Sequence, residues 1–257
     1  MRVVVCVKTP TGAAVTAQDA FHRAGRIGPS VLAPFDSCAV EEALKIVEQT
    51  GAGEVVVTAV ASMEVLGAVR EALALGAHRG VILCDQRLQE SDLLATSRAL
   101  AQMLARERAD LYLTCSWSGD VDGTMLWVAA AERLKLPVFT QVRRLQLVDD
   151  GVRVQSQIEF GDLTKTAALP CMVEVSDTIN QPRYPTIKGR KAAKFKPLDI
   201  VSLDDLDIAA DAVGRRGAGT NIVSLGKPPA RRSPTIVDGQ CATPERIVAF
   251  LESKGLI

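Results

Sequence analysis

The sequence predicts an α/β protein: a Rossmann-like, mostly parallel sheet with flanking helices, an antiparallel hairpin and an extended C-terminal arm. Three observations predict it. Short apolar runs alternate with stretches whose apolar residues recur at helical spacing, the pattern of parallel strands covered on both faces. Past Leu136-Pro137 the rhythm changes to two alternating runs around an Asp-Gly turn, which reads as a hairpin. From Asn180 to Pro234 the chain turns proline-rich and polar, with too little apolar periodicity to fold alone, so this stretch is expected on another surface.

Val3 to Val7 is the first apolar run, and Val40, Ala43, Leu44 and Val47 mark the first helix. Glu54 to Val60 is a second strand rich in β-branched residues. Leu66, Val69, Ala72 and Leu73 give a second helix stopped at Gly76, followed by a strand over Gly80 to Cys84. Leu93, Leu94, Ser97, Leu100, Ala101 and Leu104 line one face of a third helix, and Asp110 to Thr114 reads as a fourth strand. A helix over Met125 to Glu132 leads to the hairpin, Val142 to Val148 and Val152 to Ile158 around Asp149-Asp150-Gly151. Ala168 to Val175 supplies another apolar strand. Far downstream, Thr243 as N-cap and Pro244 at the first helical position open a short helix with Ile247, Val248 and Leu251 on its apolar face. With little of its own chain to pack on, that helix is read as docking on a partner subunit.

Composition excludes several classes. Thirty basic residues balance thirty acidic ones in 257, and aromatics make up 4%, which argues against a general nucleic-acid binder. No apolar run approaches the roughly 20 residues that span a bilayer, so the expectation is a cytoplasmic chain without membrane insertion. The six cysteines (Cys6, Cys38, Cys84, Cys115, Cys171 and Cys241) lack a Cys-x-x-Cys pair and read as small core residues in a reducing compartment; no metal site is expected. Neither His22 nor His78 has a nearby nucleophile, and His78 reads as structural, so no catalytic set is assigned.

In an open parallel sheet, ligands sit beyond the carboxyl ends of the strands. Two loops there stand out, Thr9-Pro10-Thr11-Gly12 and Cys115 to Thr124. In the second, Ser118, Gly119, Asp120, Val121, Asp122, Gly123 and Thr124 precede a helix, where small residues and hydroxyls let backbone N–H groups approach a phosphate. It is neither a Gly-x-Gly-x-x-Gly fingerprint nor a P-loop, so plain turn glycines remain the alternative, and Asp120 and Asp122 weigh against an anion unless they cap the helix or face a ribose. Arg183 to Lys196 holds six basic residues and no acidic one; it reads either as a solvated face or as a docking segment with Ile187 as apolar anchor.

Asn180-Gln181-Pro182-Arg183-Tyr184-Pro185-Thr186-Ile187-Lys188-Gly189-Arg190-Lys191-Ala192 closely resembles the Asn-x-Pro-Arg-Tyr motif of the electron transfer flavoprotein beta subunit. Val3 to Lys8, Pro34 to Leu44, Glu71 to Gly80 and Glu252 to Ile257 look like the same family, in the same order. The resemblance implies a heterodimer with an alpha subunit, carrying FAD bound mainly by alpha. Electrons would arrive from acyl-CoA, amine or other flavin dehydrogenases and leave to a membrane quinone oxidoreductase, one at a time. Such a chain is a carrier subunit rather than a stand-alone enzyme, so an absent acid, base or nucleophile set is expected. The resemblance puts Phe35 near the isoalloxazine and a recognition loop on Arg183 to Lys194, with Arg183, Tyr184, Ile187, Lys188, Arg190 and Lys191 as partner-binding residues. It also implies a structural AMP, or in bifurcating members a second FAD, contacted by Cys6, by Ser62 within Val60-Ala61-Ser62, and by Ser118 to Thr124.

Two departures stand against the family pattern. Ser118 replaces an Asp, Gly123 a Gln and Met125 a Gly, while Asp120 and Thr124 remain, which leaves AMP, FAD or an altered pocket open. Glu159-Phe160-Gly161-Asp162-Leu163 lacks the family's adjacent glycines and the following Glu. Both suit a divergent member serving a dedicated dehydrogenase. A non-redox nucleotide-binding regulatory module of the same fold is the alternative. The expected organisation is a nucleotide-binding α/β domain over 1–180, a recognition loop and helix over 181–196, and an arm with a terminal helix over 197–257 docking on alpha.

Overall fold

A computed structural model describes residues 1–7, 32–60, 66–115, 125–224 and 243–257. Nine strands form one sheet in the order β7-β6-β5-β8-β4-β1-β2-β3-β9. Its parallel part comprises β1 (Arg2–Cys6), β2 (Glu54–Val60), β3 (Arg79–Leu83), β4 (Leu111–Cys115), β8 (Cys171–Val175) and β9 (Leu198–Val201). These strands read as near-continuous apolar runs because both faces are covered.

On one face, α1 (Pro34–Thr50) and α2 (Leu66–Leu75) pack on Val3, Val5, Val55, Val57, Leu111, Leu113 and Val173. On the other, α3 (Leu93–Glu107) and α4 (Met125–Leu134) pack on Val4, Val56, Tyr112 and Met172 through Leu100, Met103, Leu104 and Trp127. Each fully buried Val or Leu contributes about 1.5–3 kcal/mol, so the two apolar layers dominate the fold's stability.

Local signals set the helix limits. Pro34 fits the first position of α1, where its missing N–H has no partner to lose, and Gly51 ends that helix with φ 68°, a left-handed conformation that favours glycine. Asp92 caps α3 by accepting the Ala95 N–H at 2.9 Å.

The antiparallel part grows out of β5 (Val138–Val148), which pairs parallel with β8 and antiparallel with β6 (Gly151–Ile158). The register shifts between Val142 and Arg144, beside Gln141 at φ 55°, and the strand changes partners there. The Asp-Gly hairpin expected from sequence is present, and β7 (Gly161–Ala168) extends it by a strand with no counterpart in the sequence reading.

The predominantly parallel α/β fold with an antiparallel extension therefore stands. Beyond Asn180, α5 (Ile187–Ala193) lies against α2, and β9 adds a parallel edge to β3. Short turns at Asp204–Leu206 and Ala210–Ala212 and a helical turn α6 (Gly214–Gly217) follow. Residues Met1–Val223 form one compact unit. Ser224–Ile257 form a second, whose helix α7 (Pro244–Ser253) begins after Thr243 as the sequence predicts and exposes Ile247, Val248 and Phe250.

Candidate functional site

The strand order places a topological switch between β1 and β4: from β1 the chain proceeds to β2 and β3 on one side, and β4 lies on the other. Helices from the two halves cover opposite faces, and the carboxyl ends of strands at such a switch point are where α/β proteins hold ligands. Cys6 ends β1 there, and Cys115 ends β4.

Cys6 is buried and pairs in register with Thr58, whose hydroxyl lies 3.3 Å from the Val5 carbonyl and donates to it. Burial pushes the Cys6 thiol up to about 12; a hydrogen bond with Thr58 opposes this and the Asp36 charge adds to it. A neutral thiol is a small, weakly polar surface rather than a nucleophile. One strand over, Thr114 of β4 pairs with Glu174 of β8. Both are buried, and Thr114 Oγ1 and Glu174 Oε1 have no hydrogen-bond partner among the described residues. Burial alone pushes the Glu174 carboxyl up to about 7. Ser62 and Ser118 to Thr124, named from sequence for the nucleotide, lie outside the described residues, as do the Thr9 to Gly12 loop and His22.

Phe35 sits in the first turn of α1, half-buried against the core, beside the buried Asp36. Further along the same helix, Glu41 and Glu48 stand about two turns apart and fork the Arg183 guanidinium. Nε reaches Glu41 at 2.8 Å and Nη1 reaches Glu48 at 2.6 Å, while the Arg183 backbone N–H also donates to Glu41 at 3.1 Å. These bonds, from both carboxylates, hold the guanidinium protonated well beyond its usual range, and the Glu48 carboxyl falls below its ordinary value chiefly through its hydrogen bond from Arg183. Asn180 Nδ2 donates to the Cys38 carbonyl at 3.0 Å and to Glu42 at 2.9 Å.

Past this clamp, Thr186 caps α5 by accepting the Gly189 N–H at 2.9 Å. Gly189 faces α2 so closely that a Cβ there would stand 2.4 Å from the Ala74 carbonyl oxygen. Arg70 donates to the Ala193 and Lys196 carbonyls at 2.7 and 2.8 Å, and Lys196 Nζ donates to the Leu73 and Ala77 carbonyls at the end of α2 at 2.9 and 2.6 Å. Burial lowers the Lys196 ammonium from its ordinary value.

The segment is therefore fastened to two helices while its apolar tip faces outward: Tyr184 is 93% exposed and Ile187 78%. Of the residues named from sequence for a partner, Lys188, Arg190 and Lys191 are also exposed, and Arg183 is engaged within its own chain. His78 is structural as expected, accepting the Val55 N–H at 3.0 Å. Cys6, Cys38, Cys115 and Cys171 are buried small side chains. Among the described residues no helix is long and apolar enough to cross a membrane.

Sequence reasoning missed Thr114 and Glu174, which were absorbed into apolar strands. The single acid within Cys171-Met172-Val173-Glu174-Val175 was the available signal. It also missed Glu41 and Glu48, whose i, i+7 spacing puts both on one helix face.

A doubly wound sheet with its switch point between β1 and β4, extended by an antiparallel hairpin and carrying an exposed basic segment fastened to α1 and α2, defines an α/β protein of the doubly wound class. The family model of the electron transfer flavoprotein domain matches residues 26–206. The electron transfer flavoprotein subunit beta of Mycobacterium tuberculosis is 31% identical, over 89% of this chain and 88% of that one. That of Megasphaera elsdenii is 29% identical over the whole of both chains. The caffeyl-CoA reductase-Etf complex subunit CarD of Acetobacterium woodii is 30% identical over 99% of this chain and 97% of its own. This chain belongs to the electron transfer flavoprotein beta-subunit family, and its role is electron transfer in a flavoprotein.

Proposed function

We propose that this chain is the beta subunit of a heterodimeric carrier, holding AMP in its own crevice and approaching an FAD carried mainly by an alpha subunit. The observation that carries the AMP reading is the row of buried polar side chains at the switch point, with Thr114 and Glu174 lacking partners among the described residues. Orphaned buried polar atoms cost about 1–3 kcal/mol each, a cost that a ligand bearing hydrogen-bonding groups would remove.

FAD, when bound, supplies one-electron chemistry between a two-electron donor and the acceptor. The chain's own residues then have three tasks. Cys6, Ser62 and Ser118 to Thr124 line the nucleotide crevice. Phe35 stands near the isoalloxazine on α1. Tyr184, Ile187, Lys188, Arg190 and Lys191 meet the donor, with Ile187 seating in an apolar pocket, while Arg183 fixes the segment's position. Of the stretch over 197–257, the part through Val223 packs on this chain's own sheet and the terminal helix α7 docks on alpha.

The name of the Acetobacterium woodii relative, a subunit of a caffeyl-CoA reductase-Etf complex, supports a dehydrogenase or reductase acting on a CoA thioester as redox partner. A quinone oxidoreductase is the proposed acceptor, and the cytoplasm the proposed site of action. Denaturing the purified complex and weighing the released ligands by mass spectrometry tests the cofactor set. AMP with one FAD per heterodimer supports this reading; two FAD points to a bifurcating-type member; and nucleotide without flavin points to a non-redox regulatory module.

A further inference from the structure

Alternation along the strands puts four polar side chains in one row. Val4 and Cys6, Val56 and Thr58, Tyr112 and Thr114, and Met172 and Glu174 are each two residues apart and share the sheet face covered by α3 and α4. The registers Cys6↔Thr58 and Thr114↔Glu174, with Val5↔Leu113 joining them, order the row as Thr58, Cys6, Thr114, Glu174. It lies at the carboxyl ends of the four strands and straddles the β1–β4 switch point. Between this row and the Arg2–Glu54 pair at the amino ends of β1 and β2, the face is lined by Val4, Val56, Tyr112 and Met172.

Thr58 donates to Val5 and has Cys6 beside it, so the satisfied half of the row is structural. The other half is not satisfied. Thr114 is fully buried and Glu174 only 2% exposed, yet the Thr114 hydroxyl and Glu174 Oε1 have no partner among the described residues. Burial raises the Glu174 carboxyl, and no cationic group among the described residues offsets it. A phosphate against this pair would meet either an acid with one proton to share or a carboxylate repelling it in a low-dielectric setting. A hydroxyl or amino group of a neutral ligand moiety would satisfy both atoms.

We infer that Thr114 and Glu174 form a reading edge for the uncharged nucleoside part of the bound nucleotide, its ribose hydroxyls or base amino group, and not for its phosphate. The inference rests on the proposal that the crevice holds a nucleotide. Glu174 discriminates by requiring hydrogen-bond donors on the ligand, and Thr114 by supplying a hydroxyl that both donates and accepts.

Calorimetric titration of the full chain, freed of retained nucleotide by charcoal treatment, with AMP, adenosine and inorganic phosphate tests this. Thr114→Val and Glu174→Leu should each weaken AMP and adenosine by about tenfold, the scale of one lost hydrogen bond. Thr114→Ser and Glu174→Gln, which keep a hydroxyl and an acceptor, should stay within about threefold of the parent, also confirming that the sites tolerate substitution. Equal affinities for AMP in parent and Thr114→Val and Glu174→Leu chains would overturn the reading edge and leave the nucleotide crevice standing. So would a loss seen with inorganic phosphate and not with adenosine. Failure of the parent to bind either AMP or adenosine would overturn both.

Discussion

Glu174 is flanked by Val173 and Val175 in a strand whose every residue is buried, and its carboxyl is held up to about 7 from an ordinary 4.5. The sign of its effect on stability follows. The unfolded chain releases this proton at lower pH than the folded one, so the contribution is fully present below pH 4.5 and is lost as pH rises to about 7. Within that window the slope is about 1.4 kcal/mol per pH unit at most. Urea denaturation of the parent and Glu174→Gln chains between pH 4.5 and 7.5 measures it: Gln should flatten the decline, and parallel curves would contradict the assignment. At the other site, Ile187→Ala removes an exposed side chain, so folding, heterodimer formation and flavin content should be unchanged. The rate of electron transfer at limiting donor should fall severalfold in stopped-flow reduction. Ile187 stands out in sequence as the apolar residue within the basic run Arg183 to Lys196, whereas Glu174 is a single letter in an apolar strand and only its pairing with Thr114 brings out the two orphans.

The elements that hold residues 180–196 explain why a polar, proline-rich stretch is ordered at all. Asn180 and Arg183 bind α1, and Gly189, Ala193 and Lys196 close on α2. Arg183→Ala leaves Glu41 buried without its cation. The pair is partly exposed, so the expected loss is about 1–3 kcal/mol rather than the full figure for a deeply buried pair. Hydrogen exchange over 180–196 should quicken, and KM for the donor should rise more than kcat falls. Gly189→Ala brings a methyl to 2.4 Å from the Ala74 carbonyl oxygen and should detach α5 from α2, read as a drop in Tm with the same local exchange. Strands and helices with strong local patterns were legible from sequence, α1 to α4 and the hairpin among them. β7 was not, because Gly161-Asp162-Leu163-Thr164-Lys165-Thr166 is exposed and its pairing with β6 rather than burial makes it a strand. β9 is four residues long and exists through a distant pairing with β3.

Across the whole molecule, thirty positive charges against thirty negative give a net of zero that conceals a sorting by segment. Six basic residues crowd Arg183 to Lys196, and Asp199, Asp204, Asp205, Asp207 and Asp211 follow. Two of the six, Arg183 and Lys196, serve the fold, so Lys188, Arg190, Lys191 and Lys194 remain to steer an acidic partner. Lys188→Glu should lower the association rate with the donor and flatten its dependence on ionic strength, with little change in the dissociation rate. The fold and the family were legible at this scale because a doubly wound rhythm and the Asn180 to Ala192 motif are both local in sequence. The partners' sides of the interfaces were not, because they belong to other chains. Co-expression with an electron transfer flavoprotein alpha subunit, followed by size-exclusion chromatography with absorbance detection, tests the central claim most directly. A yellow 1:1 complex whose flavin is reduced by a dehydrogenase is the predicted result; a colourless beta chain that elutes alone beside alpha would contradict it.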